Sequence, residues 1–413
     1  MESTYFRRGF GLKAEIEGQR SADYHSAVVD AMRAGGNQLA AGRLQFHLAQ
    51  EFGFCYGVDR AVDYAYEARA KFPDRRLFLV GEIIHNPHVN AKLAAMGITF
   101  LQRGIAAGSA PATRAAQPTH DAEFDFTGLN PDDVVIIPAF GVTMKDFERL
   151  RALGSVVVDT TCGSVLNVWK RVESYARDGF TSVIHGKHYH EETKATASQV
   201  ERHPGGRYLI VFDMNEARLV CDFIEGRGDA AELTARFAHA ASPGFAFDRD
   251  LVRIGVANQT TMLAGESLAI AAEFRRSLAR RFGEEHLAEH FRSFDTICSA
   301  TQERQDAVVK LLDQSIDTMV VIGGYNSSNT CALAALAHSR GVRTYHIEDA
   351  ASIDTASRSI RHQPVRTKTE VTEVDWLGSA ARIGITAGAS TPNNKIGETV
   401  VRICETAGEH LLI

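Results

Sequence analysis

Three of the six cysteines in this 413-residue chain sit in settings suited to chemistry. They are Phe52-Gly-Phe-Cys55-Tyr-Gly-Val-Asp-Arg, Asp159-Thr-Thr-Cys162, and Asp295-Thr-Ile-Cys298-Ser-Ala-Thr-Gln-Glu-Arg-Gln. Each ends a β-type run or opens a loop, and the three lie far apart in sequence. No Cys-x-x-Cys pair and no Cys/His finger spacing occurs, which argues against a structural zinc knot built from two local pairs. Three thiolates meeting at one point suit an iron-sulfur cluster with one iron free of protein ligands, because soft sulfur donors select such metals and an open position permits reaction. A lone cysteine is more commonly a small buried apolar residue. That reading fits Cys221, Cys331 and Cys404, which fall within apolar helical patterns.

The elements that position these residues follow a repeated plan. Short β-branched runs recur at 78–80, 134–137, 155–158, 182–184, 209–212, 252–256, 319–322, 343–347 and 383–385, each emptying into a polar or glycine-rich loop ahead of a helical pattern. That alternation predicts βα units and parallel sheets, whose ligands bind beyond the carboxyl ends of the strands. Two loops there are rich in hydrogen-bond donors: Asn326-Ser327-Ser328-Asn329, after Ile322-Gly-Gly, and Ser390, after Thr386-Ala-Gly-Ala. Ser and Asn at these places also cap helices, but two such loops together can cradle an anion through hydroxyls, amides and backbone N–H groups. Neither is a Walker A loop or a dinucleotide glycine fingerprint, so nucleotide binding has no support.

Composition narrows the field. At 45% hydrophobic and 23% charged residues the chain is an ordinary globular protein with room for two or three domains. A formal charge of -6 gives no basic field for nucleic acid. No apolar run approaches the ~20 residues of a membrane helix. The cysteine usage and the acidic start (Glu2, Glu15, Glu17) fit a reducing compartment, with the cytoplasm as the simplest placement.

From about Leu44 to about Gly408 the chain resembles the 4-hydroxy-3-methylbut-2-enyl diphosphate reductases. The resemblance rests on Gly-Phe-Cys55, Ile-His85-Asn, Ala-Phe140-Gly, Asp-Thr-Thr-Cys162, His190-Glu-Glu192-Thr, Asn-Gln-Thr260-Thr, Thr-Ile-Cys298, Asn-Ser327-Ser328-Asn329 and Thr-Ala-Gly-Ala-Ser390, in family order. It implies three similar α/β domains with mainly parallel sheets around a pseudo-threefold axis, and a central 4Fe-4S cluster, one per chain, held by Cys55, Cys162 and Cys298. It also implies a small allylic diphosphate substrate, gripped by His85, His190, Ser327, Ser328, Asn329 and Ser390. Glu192 stands at the position of the family's proton donor, and Thr260 at that of the threonine bonding the substrate hydroxyl or its relay. A dry pocket beside a cluster and a diphosphate is expected to raise the Glu192 pKa. The implied reaction is reductive loss of the allylic hydroxyl to give isopentenyl and dimethylallyl diphosphate, the last step of the non-mevalonate pathway, with a ferredoxin or flavodoxin as electron donor. In a plastid-bearing source the placement becomes the plastid stroma.

The expected division is an N-terminal extension (1–45, with a helix from Ala22 to Ala34), then α/β domains at 46–160, 161–296 and 297–413. Surface insertions are expected near 104–133 and 226–250. Two features depart from the family. Gly163-Ser164 stands where a proline usually follows the second cysteine, and position 140, histidine in many bacterial members, is Phe140 here, as the resemblance to the plastid and cyanobacterial branch implies. Other functions for a three-cysteine chain are a quinolinate synthase-like dehydratase or an iron-sulfur redox sensor. The first does not call for the two donor loops in this order, and the second leaves Glu192 and Thr260 without a task.

Overall fold

The computed structural model describes residues 4–104, 122–294 and 296–411, so most of the insertion expected near 104–133 lies outside the described residues. The chain divides into two compact units, and neither is a contiguous stretch. One comprises Met1–Gly9, Phe72–Ile83 and Gly97–Cys298; the other comprises Phe10–Lys71, Ile84–Met96 and Ser299–Ile413.

The first unit holds two parallel sheets. The first sheet runs, in spatial order, Tyr5–Phe6, Val156–Asp159, Val134–Ile137, Leu77–Val80 and Ile98–Leu101. Its three central strands, VVVD, VVII and LFLV, are buried at every position. Continuous apolar runs of this kind are what a parallel sheet covered on both faces requires. The second sheet runs Phe291–Ser293, Ile254–Asn258, Thr181–His185 and Tyr208–Val211. The 226–250 stretch contributes two short helices, Ala230–Arg236 and Phe247–Asp250. Its Leu233, Phe237 and Phe247 are buried in the core of this sheet, so it is a structural part of the layer and not a surface insertion. Three apolar side chains scattered among charges carry too weak a periodicity to announce that role.

The second unit is built on a sheet ordered Arg343–Ile347, Thr318–Ile322, Arg382–Ala387, Leu44–Leu48 and Gln38–Ala41, parallel except for the last pair. A small antiparallel sheet joins Ile353–Asp354, Ser359–His362 and Val371–Val374. The N-terminal extension forms two helices, Lys13–Tyr24 and Ala27–Ala34, where one was expected. The break falls where Ser26 turns extended and caps the second helix by accepting from the Val29 amide at 3.3 Å.

One cysteine follows each parallel sheet, but the linear boundaries 46–160, 161–296 and 297–413 pair them differently from the hydrogen bonds. Cys55 follows Leu44–Leu48, a strand bonded to Arg382–Ala387 from the far end of the chain. Cys162 follows the first sheet and Cys298 the second. A strand from residue 44 joins strands from beyond residue 318 because a parallel sheet takes its neighbours by register and burial, not by sequence order.

Candidate functional site

In the first unit, Cys162 ends the first sheet and opens the helix Gly163–Arg177 as its N-cap. Its amide donates to the Ala139 carbonyl at 2.8 Å, and its carbonyl accepts from the Leu166 amide at 3.1 Å, so the thiol-bearing turn is pinned at both sides. Gly163 occupies the first helical position with open space where a Cβ would project. Loss of the family's proline therefore leaves the turn defined, held by these bonds instead of by a ring. The Ser164 hydroxyl donates to Cys298 Sγ at 3.3 Å, which ties the start of this helix to the second cysteine of the unit. Cys298 is fixed further by its amide, which donates to the Thr260 carbonyl at 3.3 Å.

Glu192 lies in the first turn of the helix Glu191–Glu201 and is 3% exposed. The Thr260 amide donates to its Oε1 at 2.6 Å and the Thr260 hydroxyl donates to its Oε2 at 3.0 Å. The two oxygens are thereby made different. A backbone N–H can only donate, so at that contact Oε1 is an acceptor; a hydroxyl can donate or accept, so the Oε2 contact is one through which a proton can pass between Glu192 and Thr260. His190 caps the same helix, its Nδ1 accepting from the Glu192 amide at 3.1 Å. That bond leaves the ring proton on Nε2, making Nε2–H a donor. The Phe140 ring stands edge-on to the His190 ring at 6.1 Å and is half-buried. His185, by contrast, is fully buried and bonded to Ser267 at 2.7 Å, and burial pushes its pKa down to about 4. It is a structural histidine.

In the second unit the donor loops converge on one another. The Ser390 hydroxyl donates to the His85 carbonyl at 3.3 Å and lies 3.4 Å from Ser327 Oγ, while Asn326 Nδ2 lies 3.4 Å from His85 Nδ1. Asn329 Oδ1 accepts from the Ala389 amide at 2.8 Å. Its Nδ2, in a side chain only 2% exposed, has no hydrogen-bond partner among the described residues. A buried amide donor left open costs free energy unless an acceptor arrives. Ser327 caps the helix Ser328–Ser339, whose first residue, Ser328, is buried. Gly324 makes the approach possible, since a Cβ there would come within 2.8 Å of the His85 carbonyl oxygen.

Cys55 belongs to this second group, its amide donating to the Ala389 carbonyl at 3.2 Å. The loop before it is clamped by Arg304, 3% exposed, which donates to the Gly53 carbonyl at 2.9 Å and to the Phe54 carbonyl at 3.2 Å. Arg304 was not among the residues singled out from sequence. Its signal was an arginine on the stripe Thr301, Arg304, Val308, Leu311, all buried, of the helix Ser299–Leu312. Cys55, Cys162 and Cys298 are each half-exposed and free of disulfides, whereas Cys221 and Cys404 are buried, with burial pushing their thiols up to about 12 and about 11. Cys331 is half-buried, not fully in the core as its helical pattern suggested, because its Sγ turns to the Tyr325 carbonyl at 3.2 Å.

These features define a class: an α/β protein with three mainly parallel sheets, a half-exposed thiol beyond each, and anion-directed donors on the strand-end loops. The chain belongs to the LytB protein family, whose model matches residues 46–404. It is 46% identical over 405 residues to a 4-hydroxy-3-methylbut-2-enyl diphosphate reductase of Gloeobacter violaceus, covering 98% of this chain and 93% of that one. It is also 46% identical to the protein of that name from Thermosynechococcus vestitus, covering 97% and 94%. The fold is shared with the E-1-hydroxy-2-methyl-but-2-enyl-4-diphosphate reductase of Plasmodium falciparum at a TM-score of 0.60, with 20% identity over 87% of each chain.

Proposed function

We propose that this chain catalyses the reductive dehydroxylation of 4-hydroxy-3-methylbut-2-enyl diphosphate to isopentenyl and dimethylallyl diphosphate, the last step of the non-mevalonate pathway. Family membership across residues 46–404 carries the reading. Three soft, half-exposed thiols suit iron, and Cys55, Cys162 and Cys298 would hold one 4Fe-4S cluster with one iron lacking a protein ligand. When bound, the cluster would supply electrons and a Lewis-acidic iron. Among the described residues no helix is long and apolar enough to cross a membrane. A ferredoxin or flavodoxin in the cytoplasm or a plastid stroma would provide the reducing equivalents.

The reaction consumes two electrons and two protons: the C–O bond breaks, the hydroxyl leaves as water, and the allyl fragment gains a hydrogen. Glu192 supplies a proton from Oε2 through the Thr260 hydroxyl, a neighbour able both to accept and to donate. His190 Nε2–H and the open Asn329 amide are donors suited to phosphate oxygens, alongside His85 and the hydroxyls of Ser327, Ser328 and Ser390. The test is anaerobic purification with iron and sulfide counting, followed by a substrate-dependent assay with a chemically reduced donor. About four of each per chain and turnover of the diphosphate are expected. A Cys162→Ser protein with full activity would overturn the cluster assignment.

A further inference from the structure

The first unit carries a cavity that the reaction does not use. It measures about 330 Å³ and lies against the end of the first sheet, with an apolar wall of Val142, Met144, Phe147, Leu166 and Trp169. Two residues lining it each carry a buried polar atom with no hydrogen-bond partner among the described residues: Nε2 of Gln199, a side chain only 1% exposed, and the indole Nε1 of Trp169. The acidic groups are already engaged. Asp159 accepts from the Tyr5 and Thr161 hydroxyls and pairs with Arg7 at 3.6 Å, and Glu173 pairs with Arg202 at 2.9 Å. That leaves Lys170, exposed at the rim, as a lining cation with no ion pair among the described residues.

We propose that this cavity binds an amphipathic organic anion, with a compact apolar body against the Trp169 and Phe147 wall and a carboxylate or phosphate head served by Gln199, the Trp169 indole and Lys170. An apolar enclosure of this size with a few unsatisfied donors is the usual form of a small-molecule site. A neutral hydrocarbon would leave both buried donors unpaired, and a bare inorganic anion would leave the apolar wall empty. The walls are also the rear of site elements. Trp169 rides on the helix opened by Cys162 and packs against the turn that follows Phe140, where a Cβ on Gly141 (φ +77) would fall 2.5 Å from the indole. Gln199 lies on the Glu192 helix seven residues on, roughly 10 Å along the axis and on the same face.

The experiment is isothermal titration of the full-length holoenzyme with octanoate and with octyl phosphate, with 1-octanol and inorganic phosphate as controls. Tryptophan fluorescence is read in parallel on a Trp376→Phe background, where Trp169 is the sole reporter. One equivalent of either amphiphile is expected to bind with a Kd below about 1 mM, the weak end of specific binding, and to shift Trp169 emission. The preferred head identifies a carboxylate or a phosphate source. Gln199→Leu, which keeps the size and removes the donor, and Lys170→Glu are each expected to weaken binding at least tenfold while melting as the parent does. No one-to-one binding of either amphiphile, equal binding of 1-octanol, or parental affinity in both variants would overturn the proposal. Because the readout is binding and not turnover, the result stands apart from the reductase assignment.

Discussion

Glu192→Gln separates proton delivery from everything else Glu192 does. The amide keeps the side chain's shape: its oxygen can still accept from the Thr260 amide at the 2.6 Å contact, and its NH₂ can donate to the Thr260 hydroxyl at the 3.0 Å contact. As the proton donor Glu192 is neutral before reaction, and neutral hydrogen bonds contribute roughly 0.5–1.5 kcal/mol each, so the substitution replaces two neutral bonds by two of similar strength. The expected net change is therefore within about 1 kcal/mol, a Tm shift of a few degrees. Loss of a general acid costs about 10²- to 10⁴-fold in rate, or roughly 2.7–5.5 kcal/mol of barrier, well above the stability effect. The assay is steady-state kcat and KM with chemically reduced donor, alongside iron content and thermal melting. Thr260→Val, which keeps the amide bond but deletes the relay hydroxyl, is expected to lower kcat by roughly 10- to 100-fold, and Thr260→Ser to restore most of it. The double variant Glu192→Gln, Thr260→Val should be no slower than Glu192→Gln alone, because the two act in series. If Glu192→Gln turns over within a factor of two of the parent while Glu191→Gln is inactive, the proton comes from the other carboxylate and the reasoning fails.

Three further outcomes follow from the geometry. Ser327→Ala with Ser390→Ala should raise KM and weaken product diphosphate binding by roughly tenfold or more, since each hydroxyl contributes roughly 0.5–1.5 kcal/mol, and more to an anion; unchanged product affinity by calorimetry would remove these residues from the anion site. Ser164→Ala deletes the 3.3 Å hydroxyl bond to Cys298 Sγ. It should lower the reduction potential of the reconstituted cluster, because hydrogen bonds to ligating sulfur stabilise the reduced state; an unchanged potential in an electron paramagnetic resonance titration would detach Ser164 from the ligand. Burial holds His185 and His346 neutral, with pKa values depressed from 6.5 to about 4. Between those values the unfolded chain binds protons that the folded chain refuses, so stability is full above pH 6.5 and falls as pH drops toward 4, by at most on the order of 3 kcal/mol per residue. A Tm that does not fall from pH 7 to pH 5, or that falls as steeply in His346→Gln, would show that these imidazoles are not the cause.

Much of this protein was legible without coordinates because parallel-sheet strands are short, apolar and β-branched, and most of the expected runs, such as Val134–Ile137 and Arg343–Ile347, coincide with observed strands. The reactive residue types and the family were equally plain, since motif chemistry is local: a cysteine beside a strand end, or Ser and Asn ahead of a helix. Tertiary structure decided the rest. Leu44–Leu48 looks like the start of a first domain, yet it pairs with Arg382–Ala387, a choice set by long-range register that no local window contains. Arg304 reads as an ordinary helical arginine until the carbonyls of Gly53 and Phe54 are placed around it. That Glu192 meets a hydroxyl able to pass a proton, and that the Asn329 amide oxygen is spent on a backbone N–H, depend on partners that are distant in sequence, Thr260 and Ala389. Residue identity sets what a side chain can do, but protonation, orientation and unsatisfied valence belong to the group it meets, and that group is assigned by the fold.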